Sequence, residues 1–107
     1  MIEPASRKEL EDQGVKLLRD FGFVVGRMTD RRRALPGMVG WCDIFALYKN
    51  STWLLEVKFG ADKIRASQQA FKESIKPLLG SHLHYRRVST LKDFEKIIRY
   101  EDIRRSR

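Results

Sequence analysis

Along the chain, the spacing of apolar residues alternates between the period of helices and the two-residue period of strands. The first helical segment starts after Ser6, with Glu9 in a capping-box position, and stops at Gly22. The other apolar segments predict strands at about 23–25, 42–48, 52–58 and 84–89, and helices at about 67–79 and 91–99. The sequence therefore predicts an α/β fold in which helices flank a mixed β-sheet, in the order α-β-β-β-α-β-α.

Breaks between these segments set the predicted domain limits. Residues 27–40 are basic, contain Pro and Gly and show no clear period, so we expect a loop there. Pro77 should kink or shorten the last turn of its helix. We expect one domain at residues 6–99 and a basic tail at 100–107, frayed and solvated from Arg104 onward.

Two charged residues interrupt the apolar strand at 52–58. Successive strand side chains alternate between faces, so Glu56 and Lys58 should project together, opposite Trp53, Leu55 and Val57. An acid and an amine are costly to bury on a strand. Such a pair is tolerated where it lines a cleft, binds a metal or performs chemistry. The alternative is a solvated sheet face or an edge salt bridge.

A further carboxylate, Asp43, lies in the preceding strand. It shares a face with Glu56 if the connecting loop has an even number of residues, either Asn50-Ser51 or residues 48–51. The Cβ atoms of the two acids would then lie about 5 to 8 Å apart. Two carboxylates that close repel unless a cation intervenes, and hard oxygen ligands suit Mg²⁺ or Mn²⁺. Lys58 would lie beside the attacking water or the scissile phosphate of a phosphodiester.

The first helix offers a third acid. At about 100° per residue, Glu11 falls on the border of the apolar stripe, whereas Glu9 falls on the solvent side. We therefore expect Glu11 to reach a site on the sheet. The alternative is an ordinary glutamate on a helix surface.

The net charge indicates a polyanionic partner. The 107 residues include 22 Lys and Arg against 14 Asp and Glu, a net charge of +8, which most simply indicates nucleic acid. Flexible cationic loops can follow phosphates without reading bases. The alternative for the arginine-rich loop is a mobile solvated segment. The candidate DNA-binding residues are Arg27, Arg31, Arg32 and Arg33 in the loop, and Lys63, Arg65 and Lys72 around the second helix.

Cysteine use and hydropathy bear on location. The single cysteine, Cys42, excludes an intrachain disulfide, suggests a reducing compartment and should be a buried packing residue. The N-terminus lacks the charge and apolar core of a signal peptide. No apolar run approaches the roughly 20 residues that span a bilayer. We expect a soluble, cytoplasmic protein with no membrane partner.

These residues resemble those of a known superfamily. The pattern of Glu11, Gly40-Trp41-Cys42-Asp43 and Glu56-Val57-Lys58 is similar to that of the PD-(D/E)xK nucleases. Within that superfamily the sequence most resembles the VRR-NUC domain and the small Holliday junction resolvases, over about residues 6–99. The VRR-NUC likeness extends to residues 64–71, where a Gln is followed two residues on by Ala-Phe.

The resemblance implies a restriction-endonuclease-like core and a role for each matching residue. Asp43, Glu56 and the main-chain carbonyl of Val57 would ligate Mg²⁺ or Mn²⁺, and Lys58 would be catalytic. Glu11 and Gln68 would be supporting active-site residues, with Gln69 as an alternative to Gln68.

The sequence departs from the family pattern at Cys42. The family commonly has proline before the motif aspartate, and proline there is not a ligand. We therefore expect the change to alter backbone rigidity and to leave metal binding intact.

The sequence thus predicts a metal-dependent, structure-selective DNA endonuclease, with Holliday junction resolution as the preferred activity. The alternatives are a repair or restriction-type nuclease acting on flaps or duplex DNA, and a non-catalytic nucleic-acid-binding module. Symmetric cutting of a four-way junction needs two active sites, so a homodimer is expected.

Overall fold

The fold is an α/β arrangement in which helices cover both faces of a mixed sheet. The computed structural model describes residues 3–28, 41–61 and 66–105. The helices are α1 (Arg7–Phe21), α2 (Ala66–Ile75) and α3 (Leu91–Arg105), and the strands are β1 (Val24–Arg27), β2 (Ile44–Tyr48), β3 (Ser51–Val57) and β4 (Leu83–Val88). The predicted fold class is confirmed. Helix α2 ends at Ile75 and is followed by a 3-10 helix, Lys76–Leu78, which contains Pro77. The prediction that Pro77 shortens the end of this helix is confirmed.

Within the described residues, the strands form one sheet in the order β1-β2-β3-β4. Strands β1, β2 and β3 pair antiparallel, whereas β3 and β4 pair parallel. A parallel pair needs a crossover connection, and α2 lies in that connection. The C-terminal end of β3 therefore lies beside the C-terminal end of β4.

The hydrophobic core is divided between the two faces of the sheet. On one face, α1 and α3 pack on the inward side chains of the strands, and on the other face α2 packs through Phe71 on Leu54 and Cys42. The residues at the centre of the larger cluster are Leu10, Val15 and Leu18 of α1, Ile44, Ala46, Trp53, Leu55, Val57 and Val88 of the sheet, and Phe94 and Ile97 of α3.

The ends of α1 follow the sequence signals. The Ser6 Oγ accepts a hydrogen bond from the Glu9 amide at 3.1 Å, and the Glu9 carboxylate accepts one from the Ala5 amide at 2.8 Å. Gly22 ends the helix at φ 120°, a conformation that side chains disfavour. The predicted helix boundaries are confirmed here.

The predicted end of α3 at residue 99 is wrong, because the helix continues to Arg105. Three long-range hydrogen bonds hold the additional turns against the rest of the protein. The Trp53 Nε1 donates to Glu101 Oε2 at 2.8 Å, and Arg104 donates to the Ser51 Oγ at 3.0 Å and to the Ser81 carbonyl at 2.5 Å. The expectation of a frayed, solvated end from Arg104 onward is therefore wrong for Arg104 and for the Arg105 backbone.

The close approach of α1 and α3 depends on Gly14. A Cβ atom at this position would overlap the Phe94 ring, which is fully buried. We expect Gly14→Ala to lower the free energy of unfolding by about 1–3 kcal/mol through overpacking. Gly26→Ala is the matched control, since a Cβ there meets nothing within 4 Å. Urea unfolding of both variants measures the difference, and equal stabilities would contradict the close-packing account.

Candidate active site

Three buried polar side chains form a continuous hydrogen-bonded chain between β3 and α2. The Lys58 Nζ donates to Gln68 Oε1 at 2.6 Å, and the Gln68 Nε2 donates to Glu56 Oε2 at 2.6 Å. The exposed fractions are 8% for Lys58, 1% for Gln68 and 2% for Glu56. We call this arrangement the buried polar chain. It brings together three of the residues that the sequence predicted for the site.

Strand alternation and helix position explain this arrangement. Glu56 and Lys58 are two positions apart, so both project to the face that α2 covers. Gln68 lies in the first turn of α2, directed at the sheet. Its side-chain amide has both an acceptor and a donor: the oxygen accepts from the Lys58 amine, and the nitrogen donates to the Glu56 carboxylate. Gln69, the alternative, is exposed and donates instead to Glu73 at 3.0 Å.

Asp43 meets the same end of β3 through the backbone. Its Oδ2 accepts a hydrogen bond from the Val57 amide, the peptide that follows Glu56, at 2.8 Å. Tyr48 pairs with Ser51, so the connecting loop is Lys49-Asn50. Its even length is as predicted, but the predicted bounds, Asn50-Ser51 or residues 48–51, are wrong.

The backbone at Asp43 nevertheless departs from simple alternation. The Asp43 amide donates to the Leu55 carbonyl, so Asp43 and Ile44 both face one residue of β3. This is the pattern of a β-bulge, which re-aims a side chain. The side-chain direction of Asp43 therefore follows from the bulge and the Val57 hydrogen bond, and not from the alternation used in the sequence prediction.

Arg7, the first residue of α1, pairs with Asp43 and was not predicted from the sequence. Its Nη2 lies 3.0 Å from Asp43 Oδ1, and the two side chains are 41% and 10% exposed. The start of α1 can be recognised in the sequence, but the pairing of Arg7 with Asp43, just before β2, cannot, because it depends on how α1 packs across the sheet. A divalent cation at Asp43 would compete with this guanidinium.

Glu11 is buried, but its described partner is a cation. Its Oε1 lies 3.1 Å from Arg27 Nε, and Arg27 also pairs with Asp12 at 2.9 Å. Arg27 is the last residue of β1, where a loop was predicted, and its side chain is only 17% exposed. The guanidinium proposed for DNA binding is thus engaged with α1. The supporting role of Glu11 stays a prediction.

The negative charges of Glu56 and Asp43 also affect the Cys42 thiol and the Tyr85 hydroxyl. Burial raises the pKa of the Cys42 thiol to about 12, and the charges of Glu56 and Asp43 add to the effect. Burial also raises the pKa of the Tyr85 hydroxyl, and the negative charge of Glu56 adds to the effect. Cys42 is fully buried, as predicted. Tyr85 was missed, since only the parallel register of β4 brings it to Glu56.

A cavity of about 140 Å³ opens over the buried polar chain. We call it the site cavity. Lys72, one of the predicted DNA-binding residues, lines it together with Tyr85 and Arg87 of β4. The other predicted DNA-binding residues, Arg31, Arg32, Arg33, Lys63 and Arg65, lie outside the described residues.

The donor chemistry of the site fits a hard divalent cation. Asp43 and Glu56 supply carboxylate oxygens at one end of β3, where the Val57 carbonyl is part of the same backbone segment. Among the described residues, no group of three or more His, Cys, Asp or Glu could hold a metal. Mg²⁺ usually keeps several waters and is held by one or two protein carboxylates.

Comparison with known proteins leaves the family open. No family model matches the chain, and none of the curated proteins matches it. The similarity to PD-(D/E)xK nucleases thus depends on the residues described above. Among the described residues, none of the helices has the length and apolarity to cross a membrane.

The bridging role of Gln68 can be tested by its removal. Gln68→Ala takes the shared amide away from a buried ammonium and a buried carboxylate, so we expect stability to fall by about 1–3 kcal/mol. Gln69→Ala removes the same side chain from an exposed position and should change stability by less than about 0.5 kcal/mol. Thermal or urea unfolding measures both, and equal losses would argue against the bridge.

Cys42 should be chemically inert in the folded protein. A pKa of about 12 leaves roughly one thiol in ten thousand ionised at pH 8, and the side chain is buried. We expect iodoacetamide to modify Cys42 in urea but not in native buffer at pH 8, as followed by mass spectrometry. Rapid native labelling would show that the strand start opens.

Proposed function

We propose that this protein is a metal-dependent nuclease that hydrolyses phosphodiester bonds at the end of β3. The observation that carries the proposal is the buried polar chain, in which Lys58 and Glu56 are kept out of water and joined by Gln68. A fold does not bury an ammonium and a carboxylate at a cavity floor without cost. Such arrangements concentrate at functional sites.

Each residue of the site has a role in this proposal. Asp43, Glu56 and the Val57 carbonyl would hold Mg²⁺ or Mn²⁺, which when bound would supply Lewis-acid activation of the phosphate and the attacking water. Gln68 orients the Lys58 amine towards the cavity, where it would offset the negative charge that develops on the phosphate. Tyr85 lines the same cavity from β4, where its hydroxyl could contact the substrate or its waters.

The proposed substrate is DNA. The net charge of +8 favours a polyanion, and the cavity beside Glu56 carries cations from α2 and β4. Within this class we propose Holliday junction resolution by a homodimer in the cytoplasm, on the resemblance to small resolvases. Cleavage of flaps or duplex DNA by a repair or restriction-type nuclease is the alternative within the enzyme class.

Cleavage assays test the activity directly. Labelled duplex, flap, single-stranded and four-way DNA would be incubated with Mg²⁺, Mn²⁺ or chelator. We expect metal-dependent cleavage, with a loss of at least about a hundredfold in Asp43→Asn, Glu56→Gln and Lys58→Ala, because each removes a ligand or a stabilising charge. Product mapping on the junction separates paired cuts from flap or exonuclease products.

Glu73→Gln is the matched control, since it makes the same carboxylate-to-amide change at an exposed position of α2. Its activity should equal that of the unmodified protein. DNA binding without cleavage under every metal condition would overturn the proposal and favour a non-catalytic binding module.

A further inference from the structure

Strand β4 presents an exposed cation directly beside the proposed catalytic carboxylate. In the parallel pairing of β3 and β4, Arg87 is the partner of Glu56. Neighbouring strands lie about 4.8 Å apart, so the two side chains leave the sheet on the same face as neighbours. Arg87 is exposed, whereas Glu56 is buried. Arg87 thus lies beside Glu56 on this face, and both residues line the site cavity.

A second cation faces the same cavity from α2. Lys72 lies four residues, about one helical turn, beyond Gln68 and is half-buried. Among the ion pairs formed by the described residues, none involves Lys72 or Arg87. By contrast, Arg7 and Arg27 each pair with an acid. Lys72 and Arg87 thus differ from the two arginines near α1, whose charges are each balanced by a carboxylate.

The hydrogen bond described for Glu56 comes from α2 and not from either cation, since its Oε2 accepts from the Gln68 Nε2 at 2.6 Å. Lys72 and Arg87 line the same cavity and form no ion pair among the described residues. Two such cations are suited to an anion that enters from solvent.

We propose that Arg87 and Lys72 form a phosphate-binding subsite that holds the DNA strand against the site cavity from the β4 and α2 side. The inference rests on the proposed nuclease function and deepens it, because it assigns the side of the site from which the strand is held. Arg87 presents a planar fork that binds phosphate oxygens in pairs, and Lys72 acts as a point charge. The cavity of about 140 Å³ accommodates a phosphate group and its waters, not a folded partner.

Tyr85 lies on the same face of β4 as Arg87, which it precedes by two positions, and this face carries Glu56. The parallel pairing of β3 and β4 thereby positions the carboxylate and the phosphate-binding cation side by side. The distance between the phosphate and Glu56 would then be set by the sheet and not by a loop.

DNA binding measured by fluorescence anisotropy in EDTA, where metal-dependent cleavage is blocked, tests this subsite. The double variant Arg87→Gln/Lys72→Gln removes two positive charges at the cavity. The matched control Lys92→Gln/Arg99→Gln removes two exposed charges from α3, on the opposite face of the sheet. Thermal unfolding establishes that both variants are folded, as expected for exposed or half-buried sites.

We expect the cavity variant to bind labelled four-way and duplex DNA at least about tenfold more weakly in 100 mM salt. Its slope of log affinity against log salt should fall by about two units, since each lost phosphate contact contributes about 0.9. The control variant should retain its affinity within about twofold. Equal weakening in both variants would overturn the subsite, because the binding would then depend on overall charge alone.

The proposed function is judged separately by the metal-dependent cleavage assay and by Asp43→Asn. Cleavage that depends on Asp43, together with unchanged binding in the cavity variant, would overturn the subsite and leave the nuclease standing. An unmodified protein that binds no DNA at any salt concentration would overturn both.

Discussion

The burial of Lys58 and Glu56 is the constraint on which the site depends. Lys58 and Glu56 are only 8% and 2% exposed, so each needs a hydrogen-bond partner inside the protein. The Gln68 amide serves both, because its oxygen accepts from Lys58 and its nitrogen donates to Glu56. This requirement fixes the first turn of α2 against the end of β3. Helix α2, which lies in the crossover between β3 and β4, thus also lines the site cavity.

The two faces of the sheet divide the work of stability and of chemistry. Helices α1 and α3 pack on an apolar face, where Gly14 and Phe94 allow close approach. The α2 face has a smaller apolar cluster and carries the polar chain. Helix α1 contacts the site at its first residue, through the ion pair of Arg7 with Asp43. The larger core can therefore hold the strands in place while the α2 side exposes a cavity.

Much of this arrangement could be predicted from local sequence. Capping signals placed α1, and strand alternation put Glu56 and Lys58 on one face, because both depend on residues a few positions apart. The bulge at Asp43 could not be predicted, since it changes the pairing by a single residue. Contacts across elements were also missed. Arg7, Tyr85 and Arg87 reach the site through helix packing and a parallel register that no short pattern encodes. The extra turns of α3 depend on Glu101 and Arg104 in the same way.

The two tryptophans occupy opposite sides of the sheet, which provides the molecule with two internal optical probes. Trp41 is 39% exposed and packs on Phe71 of α2, with ring centroids 4.9 Å apart, one turn from Gln68. Trp53 is 1% exposed and stacks on His84 at 3.9 Å in the apolar half of the protein. Emission quenched by an added solute would come mainly from Trp41, the more exposed ring on the α2 side. The shielded Trp53 indole would become quenchable when the larger core opens, so quenching measured with and without denaturant distinguishes the α2 side from the main core.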